Sequence, residues 1–501
     1  MKNRIITMSQ HIKKLITALI IRKASILLIM FLFSGCQLTN PKPISPHQEL
    51  PQEIVTKNSL WQSETKHIDN PIIMDQGDDT SVEFEASLQV LINDPKLKKF
   101  VSEVITSNPD INSMIMRLKA TEEQLNITKS TSRPSLELGL NKSRSNSLGS
   151  PDSQISYQLG MTWSLDLWGR YRDLAMAAKY DYEASHKELS HLKNLVSAQL
   201  IKICIQGWSL QERLLINERH IDKLLQMKNI LSDGYSFGKR TNEDLVNIRA
   251  RLEYAYAEEE EIEQNLLQVK RSLTLLLGKT PNISKIDFTK LPKISSPPIR
   301  MPADVIVNRP DIQMAFLQLK SFDAQTKASY KALLPSFNLS GSYGASNFGS
   351  KGLFDQDKVW SLVGGVTQPI FQGGRLLSQA RAQNYLAESS WWQYKKVVLN
   401  AITEVENSLS KEESISYQLE HLYAAKKEAK LESEIYQQRY KSGLADILEL
   451  IQVQMKEVDV EKQIVSLHAM QMSNRMDLSL AMGIGFYQID NSDCQVSNKL
   501  R

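Results

Sequence analysis

Residues 154–166 read Gln154-Ile-Ser-Tyr-Gln-Leu-Gly-Met-Thr-Trp-Ser-Leu-Asp166, and hydrophobicity alternates through them without a slip. Ile155, Tyr157, Leu159, Met161, Trp163 and Leu165 fall on one face of a strand; Gln154, Ser156, Gln158, Gly160, Thr162, Ser164 and Asp166 fall on the other. At roughly 3.3 Å per residue such a strand is long enough to cross a bilayer at the usual tilt. A half-buried strand in a soluble sandwich would alternate in the same way, so the choice rests on the rest of the chain.

Within 501 residues there are only 21 glycines and 17 prolines, and long charged-amphipathic stretches point to a few elongated units rather than several compact ones. The net charge is +4 with both signs interspersed, which lacks the basic stripe of a nucleic-acid binder. No run of 18 or more apolar residues occurs outside the N-terminus. Membrane insertion would therefore have to be through strands. Besides Cys36 there are only Cys204, on a helical apolar stripe, and Cys494, with no CxxC or Cys/His cluster. The eight histidines are scattered. No nucleophile, base and orienter set exists, so the reading is of a non-enzyme with no metal or cofactor.

Self-similarity organises what remains. Asn108-Pro109-Asp110-Ile111 recurs as Arg309-Pro310-Asp311-Ile312, and Pro134-Ser135-Leu136-Glu137-Leu138 as Pro335-Ser336-Phe337-Asn338-Leu339, both displaced by 201 residues. Gly169-Arg170 recurs as Gly374-Arg375, Tyr235-x-x-Gly238 as Tyr440-x-x-Gly443 and Leu277-Gly278 as Met482-Gly483, all displaced by 205. The only gap falls between the strands, in the expected turn. Two copies of helix, strand, strand, long helix, helix follow, with strands near 134–142 and 154–166, then 336–346 and 359–370. The first long helix, about 168–233, carries a heptad seam: Leu189, Val196, Ile203, Leu210, Leu224 and Leu231 at one position, Leu200, Leu214 and Ile221 at the other. Lys193, Gly207, Asn217 and Lys228 interrupt it. Such a helix would be roughly 100 Å long at 1.5 Å per residue.

Four strands cannot close a barrel, since closure takes about eight, and an open edge in lipid leaves backbone groups unpaired at several kcal/mol each. Several chains must therefore share one barrel, with their amphipathic helices packed side by side into a hollow wall.

The N-terminus reads as a targeting segment. Lys13, Lys14, Arg22 and Lys23 flank an apolar core at residues 24–33, and Phe33-Ser34-Gly35-Cys36 resembles the lipobox of bacterial lipoproteins. In that resemblance Cys36 is the lipid attachment site, and Gln37 implies delivery to the outer membrane. Pro41, Pro43, Pro46 and Pro51 then mark an extended tether. The resulting division is a signal peptide at 1–35, a lipid-anchored tether and equatorial segment at 36–92, repeats at 93–290 and 291–485, and a tail at 486–501.

The Asn-Pro-Asp and Arg-Pro-Asp helix starts, the Pro-Ser strand openings, Gly373-Gly374-Arg375 and Tyr440-x-x-Gly443 together resemble the TolC-like outer membrane factors, in their efflux lipoprotein branch. The resemblance covers about residues 90–485. It implies a mainly α chain with a small β part, forming as a homotrimer a 12-stranded outer-membrane β-barrel continuous with a periplasmic α-helical barrel. It also implies partners: a periplasmic adaptor protein, an inner-membrane transporter and outer membrane lipid. The helix-to-helix turns would be the adaptor docking tips, at Phe237, Gly238 and Lys239 and at Ser442, Gly443 and Leu444. The gate would fall at Glu449 and Gln452, where the second position departs from the family's usual aspartate. Asp446, Glu243, Asp244 and Arg240 lie beside it. The function implied is small-molecule efflux; a channel for type I protein secretion and a lipidated envelope scaffold are the alternatives.

Overall fold

A computed structural model of the chain describes residues 95–147, 150–279, 288, 309–348 and 358–484. The signal segment, Cys36, the tether and the 486–501 tail lie outside the described residues. The elements in order are α1 (Pro95–Ser107), α2 (Pro109–Ser130), β1 (Ser135–Ser147), β2 (Ser150–Leu165), α3 (Arg170–Ser236), α4 (Asn242–Leu276), α5 (Pro310–Lys331), β3 (Ser336–Phe348), β4 (Val359–Thr367), α6 (Arg375–Lys441) and α7 (Ile447–Ala481). Copies match in length: α2 and α5 have 22 residues each, α3 and α6 have 67, α4 and α7 have 35, and β1 and β3 have 13. No helix among the described residues is long and apolar enough to cross a membrane.

The chain divides into two units. Among the described residues, one contains 120–147, 150–184, 315–348 and 358–394, and with them the four-stranded sheet. Its strands depart from the sequence reading at their ends. The polar stretch 141–153, read as a turn, is strand on both sides: β1 continues to Ser147 and β2 starts at Ser150, with pairing kept from Lys142↔Ile155 to Ser147↔Ser150. Alternation is lost there because the residues turn polar on both faces, while the backbone ladder needs no side-chain pattern to continue. β4 ends at Thr367 instead of near 370, since Pro369 offers no N–H to a ladder.

Among the described residues, the other unit contains 185–279, 288, 309–314 and 395–484 together with 95–119. The heptad seam is its core. Leu189, Val196, Leu200, Leu210 and Leu214 bury against Val101 and Val104 of α1, Ile262, Leu266 and Leu273 of α4, and Met472 and Met476 of α7. A second cluster joins Ile221, Leu224 and Leu231 to Leu245, Ile248, Ile447 and Ile451. Two seam interruptions have structural causes. At Gly207 a Cβ would stand 2.6 Å from the Phe288 ring, so the ring fills the missing side chain's place. Buried Asn217 donates from Nδ2 to the Ala255 carbonyl at 2.8 Å.

The Asn-Pro-Asp and Arg-Pro-Asp starts each serve two helices. Asn108 Oδ1 accepts from the backbone N–H groups of Asp110 and Ile111, capping α2, while its Nδ2 donates to the Leu276 carbonyl at the end of α4. Proline follows at the first helical position, where its missing N–H costs nothing. Arg309 repeats the second task, donating from Nη1 to the Ala481 carbonyl at the end of α7. Its remaining donors take Asp311 and Glu404. Burial works to raise the Asp311 carboxyl, but hydrogen bonding and charge from Arg309 outweigh it and hold it below the usual carboxylate range.

Candidate functional site: a two-faced sheet and a pair of helix turns

The sheet order is β1-β2-β3-β4, antiparallel throughout, so that β2 of the first copy pairs with β3 of the second. Register fixes the faces. Leu138, Leu159, Tyr343 and Trp360 lie side by side across all four strands, and Leu136, Met161, Gly341 and Leu362 form the next row on that face. Tyr157, Trp163, Leu165, Phe337, Leu339 and Val366 belong to the same face by alternation. Nothing among the described residues covers it: Leu138 is 68% exposed and Trp360 73%. The opposite face carries Ser156, Gln158, Thr162, Ser164, Asn338, Ser340, Ser342 and Ser361, with Val359 and Val363 as apolar exceptions. Its hydroxyls bridge strands, at 2.7 Å between Ser135 and Thr162 and 2.7 Å between Ser342 and Ser361. Gln154 pairs in backbone register with Ser143 and Phe348. At the helix-joined end, indole N–H groups of Trp163 and Trp168 donate to the carbonyls of Ser132 and Pro335. Among the described residues, β1 and β4 each keep one edge without a partner strand.

The two helix turns are built alike. After α3, Gly238 N–H donates to Tyr235 O and Lys239 N–H to Gly234 O; after α6, Gly443 N–H donates to Tyr440 O and Leu444 N–H to Arg439 O. Both glycines have positive φ, 64° and 72°, the left-handed cap that a side chain disfavours. Each turn displays one large apolar residue, Phe237 at 76% and Leu444 at 80% exposure. Lys239 and Ser442 flank them. The helices that leave the turns start with capping boxes. Thr241 and Asp244 exchange side-chain and backbone bonds at the start of α4, and Asp446 and Glu449 do so at the start of α7. Arg240 Nη1 reaches Asp446 Oδ1 at 2.6 Å, so an ion pair joins the two turns.

Glu449 accordingly has a local structural task, since its carboxylate accepts from the Asp446 N–H at 3.2 Å. It is exposed, as is Gln452 one turn on, while Ile447, Leu450 and Ile451 bury on the other side of α7. The Ser/Thr/Asp-x-x-Asp/Glu spacing was available in the sequence as a cap signal. The second task of Asn108 and Arg309 had no sequence signal, because their targets lie more than 160 residues away.

An uncovered apolar sheet face backed by a polar one, carried on a chain of long heptad helices, defines a channel subunit that enters its membrane by strands. The chain belongs to the outer membrane efflux protein family, whose model matches residues 100–279 and again 301–484. Among its relatives are the toluene efflux pump outer membrane protein TtgF of Pseudomonas putida, 23% identical over 83% of this chain and 88% of the relative. The probable outer membrane lipoprotein SilC of Salmonella typhimurium is 21% identical over 92% of this chain and 98% of the relative. The crystal structure of the transmembrane channel protein CusC has the same fold, with a TM-score of 0.75 at 20% identity, over 81% of this chain and 96% of that one. The chain is thus the outer-membrane channel component of an efflux system.

Proposed function

We propose that three copies of the chain assemble into the exit duct of a tripartite efflux system for small molecules. Four strands from each chain would join edge to edge into a twelve-stranded barrel in the outer membrane, with the helices in the periplasm. The observation that carries this is the sheet: an uncovered apolar face suited to lipid, backed by a polar face and bounded by two open edges, neither of which is stable in lipid until strands close on themselves. The apolar face meets lipid and the polar face lines the water path. Phe237, Gly238, Lys239, Ser442, Gly443 and Leu444 receive the periplasmic adaptor, and an inner-membrane transporter selects the substrate. Glu449, repeated three times, makes one acidic ring at the narrow end, with Gln452 beside it as a neutral ring. Cys36 carries lipid, a reading supported by the lipoprotein named among the relatives. Small molecules are favoured over proteins as cargo by the named toluene efflux relative.

The test is the full chain purified in mild detergent. Unheated samples should migrate as a trimer on gels and give unitary current steps in planar bilayers. A stable monomer without current steps would overturn the assembly.

A further inference from the structure

The apolar face of β1 does not end in apolar residues. Leu136, Leu138 and Leu140 are followed at the next two positions of the same face by Lys142 and Arg144, both exposed. The two cations are roughly 7 Å apart along the strand, from about 3.4 Å per residue. Lys142 pairs with Ile155, and so lies diagonally beside Tyr157, the partner of Leu140. Tyr343 and Trp360 continue the aromatics across β3 and β4 on that face. Aromatic belts sit at headgroup level, where a cation on the lipid side of a barrel is nearly free, although costly at mid-membrane.

We propose that Lys142 and Arg144 hold the phosphate of an anionic lipid in the outer leaflet of the outer membrane. This rests on the reading above, with the helices in the periplasm: β1 begins five residues after α2, so its helix-joined end lies on the periplasmic side and its hairpin end faces the cell exterior. The aliphatic stems of the two side chains lie along the Leu140 and Tyr157 surface while their heads reach the phosphate plane. A guanidinium supplies paired donors to one phosphate and the ammonium a second contact. No substrate passes this side of the sheet.

The experiment uses the full trimer in detergent, incubated with bisphosphorylated lipid A or with its enzymatically dephosphorylated form, then washed and assayed for retained lipid. Wild type should retain the phosphorylated form preferentially. Retention should fall about five-fold for each cation removed in Lys142→Gln and Arg144→Gln, and further in the double variant. Equal retention by the double variant, or by wild type of both lipids, overturns the site. Trimer migration and conductance are recorded on the same samples. A conducting wild-type trimer that does not prefer the phosphorylated lipid sinks this inference alone, whereas wild-type protein that neither assembles nor conducts sinks the channel reading and this site with it.

Discussion

Substituting Glu449 two ways separates its two tasks. Glu449→Gln keeps an oxygen that can accept from the Asp446 N–H and removes the charge; Glu449→Ala removes both. Loss of the cap bond costs about 0.5–1 kcal/mol of local helix stability. The carboxylate is exposed, so its effect on a passing ion must be reckoned in water. A monovalent cation about 7 Å away gains about 0.6 kcal/mol from one charge, and screening at 0.1 M salt roughly halves that. Three copies then enrich cations at the ring roughly five-fold over bulk and deplete anions by a similar factor. The assay is reversal potential and unitary conductance in planar bilayers under a salt gradient. Glu449→Gln should cut the cation-to-anion permeability ratio several-fold, and the loss should shrink in 1 M salt. Asp244→Asn, at the equivalent cap position of the first copy, should leave the ratio unchanged. If Glu449→Gln conducts and selects as wild type while Glu449→Ala alone changes the current, the residue is a helix cap and the charge ring is wrong.

Asn108→Ala strands the Leu276 carbonyl and two helix N–H groups in a buried place, and should cost about 2–4 kcal/mol, seen as earlier loss of helical circular dichroism on heating. Burial pushes the Cys204 thiol up to about 12; it should resist iodoacetamide at pH 8, where an ordinary thiol reacts, and become labelled once the chain is unfolded. Cys36→Ser should abolish incorporation of radioactive palmitate in cells, and label that persists would place lipid attachment elsewhere.

The sequence disclosed the periodic and the repeated. Strict alternation from Ile155 to Leu165 specified β2, and the recurrence at 201 and 205 residues specified α3, α4 and their copies, since equal spacing of turn glycines and helix starts requires equal helix lengths. Hydrophobic pattern was a poorer guide where both faces of a strand become polar, which is why it did not show β1 continuing to Ser147 or β2 starting at Ser150. Long-range polar contacts were illegible for a simpler reason. The bond from Asn108 to Leu276 or from Arg240 to Asp446 depends on helices returning to one another, and no local spacing records that. Phe288 filling the gap over Gly207 belongs to the same class: the glycine broke the heptad, but nothing nearby in sequence named the ring that fills it. The Glu449 position was found by likeness to a family, while its bond to the Asp446 N–H was written locally and read only from the structure.

The two turns share a backbone but differ in surface, with Phe237 and Lys239 on one and Ser442 and Leu444 on the other. In the proposed trimer these six turns alternate around a ring. A hexameric partner made of identical subunits would therefore meet two chemistries in turn, aromatic and cationic at every odd seat, hydroxyl and aliphatic at every even one. Its subunits would have to tolerate both, or pair off so that neighbouring copies take unlike roles.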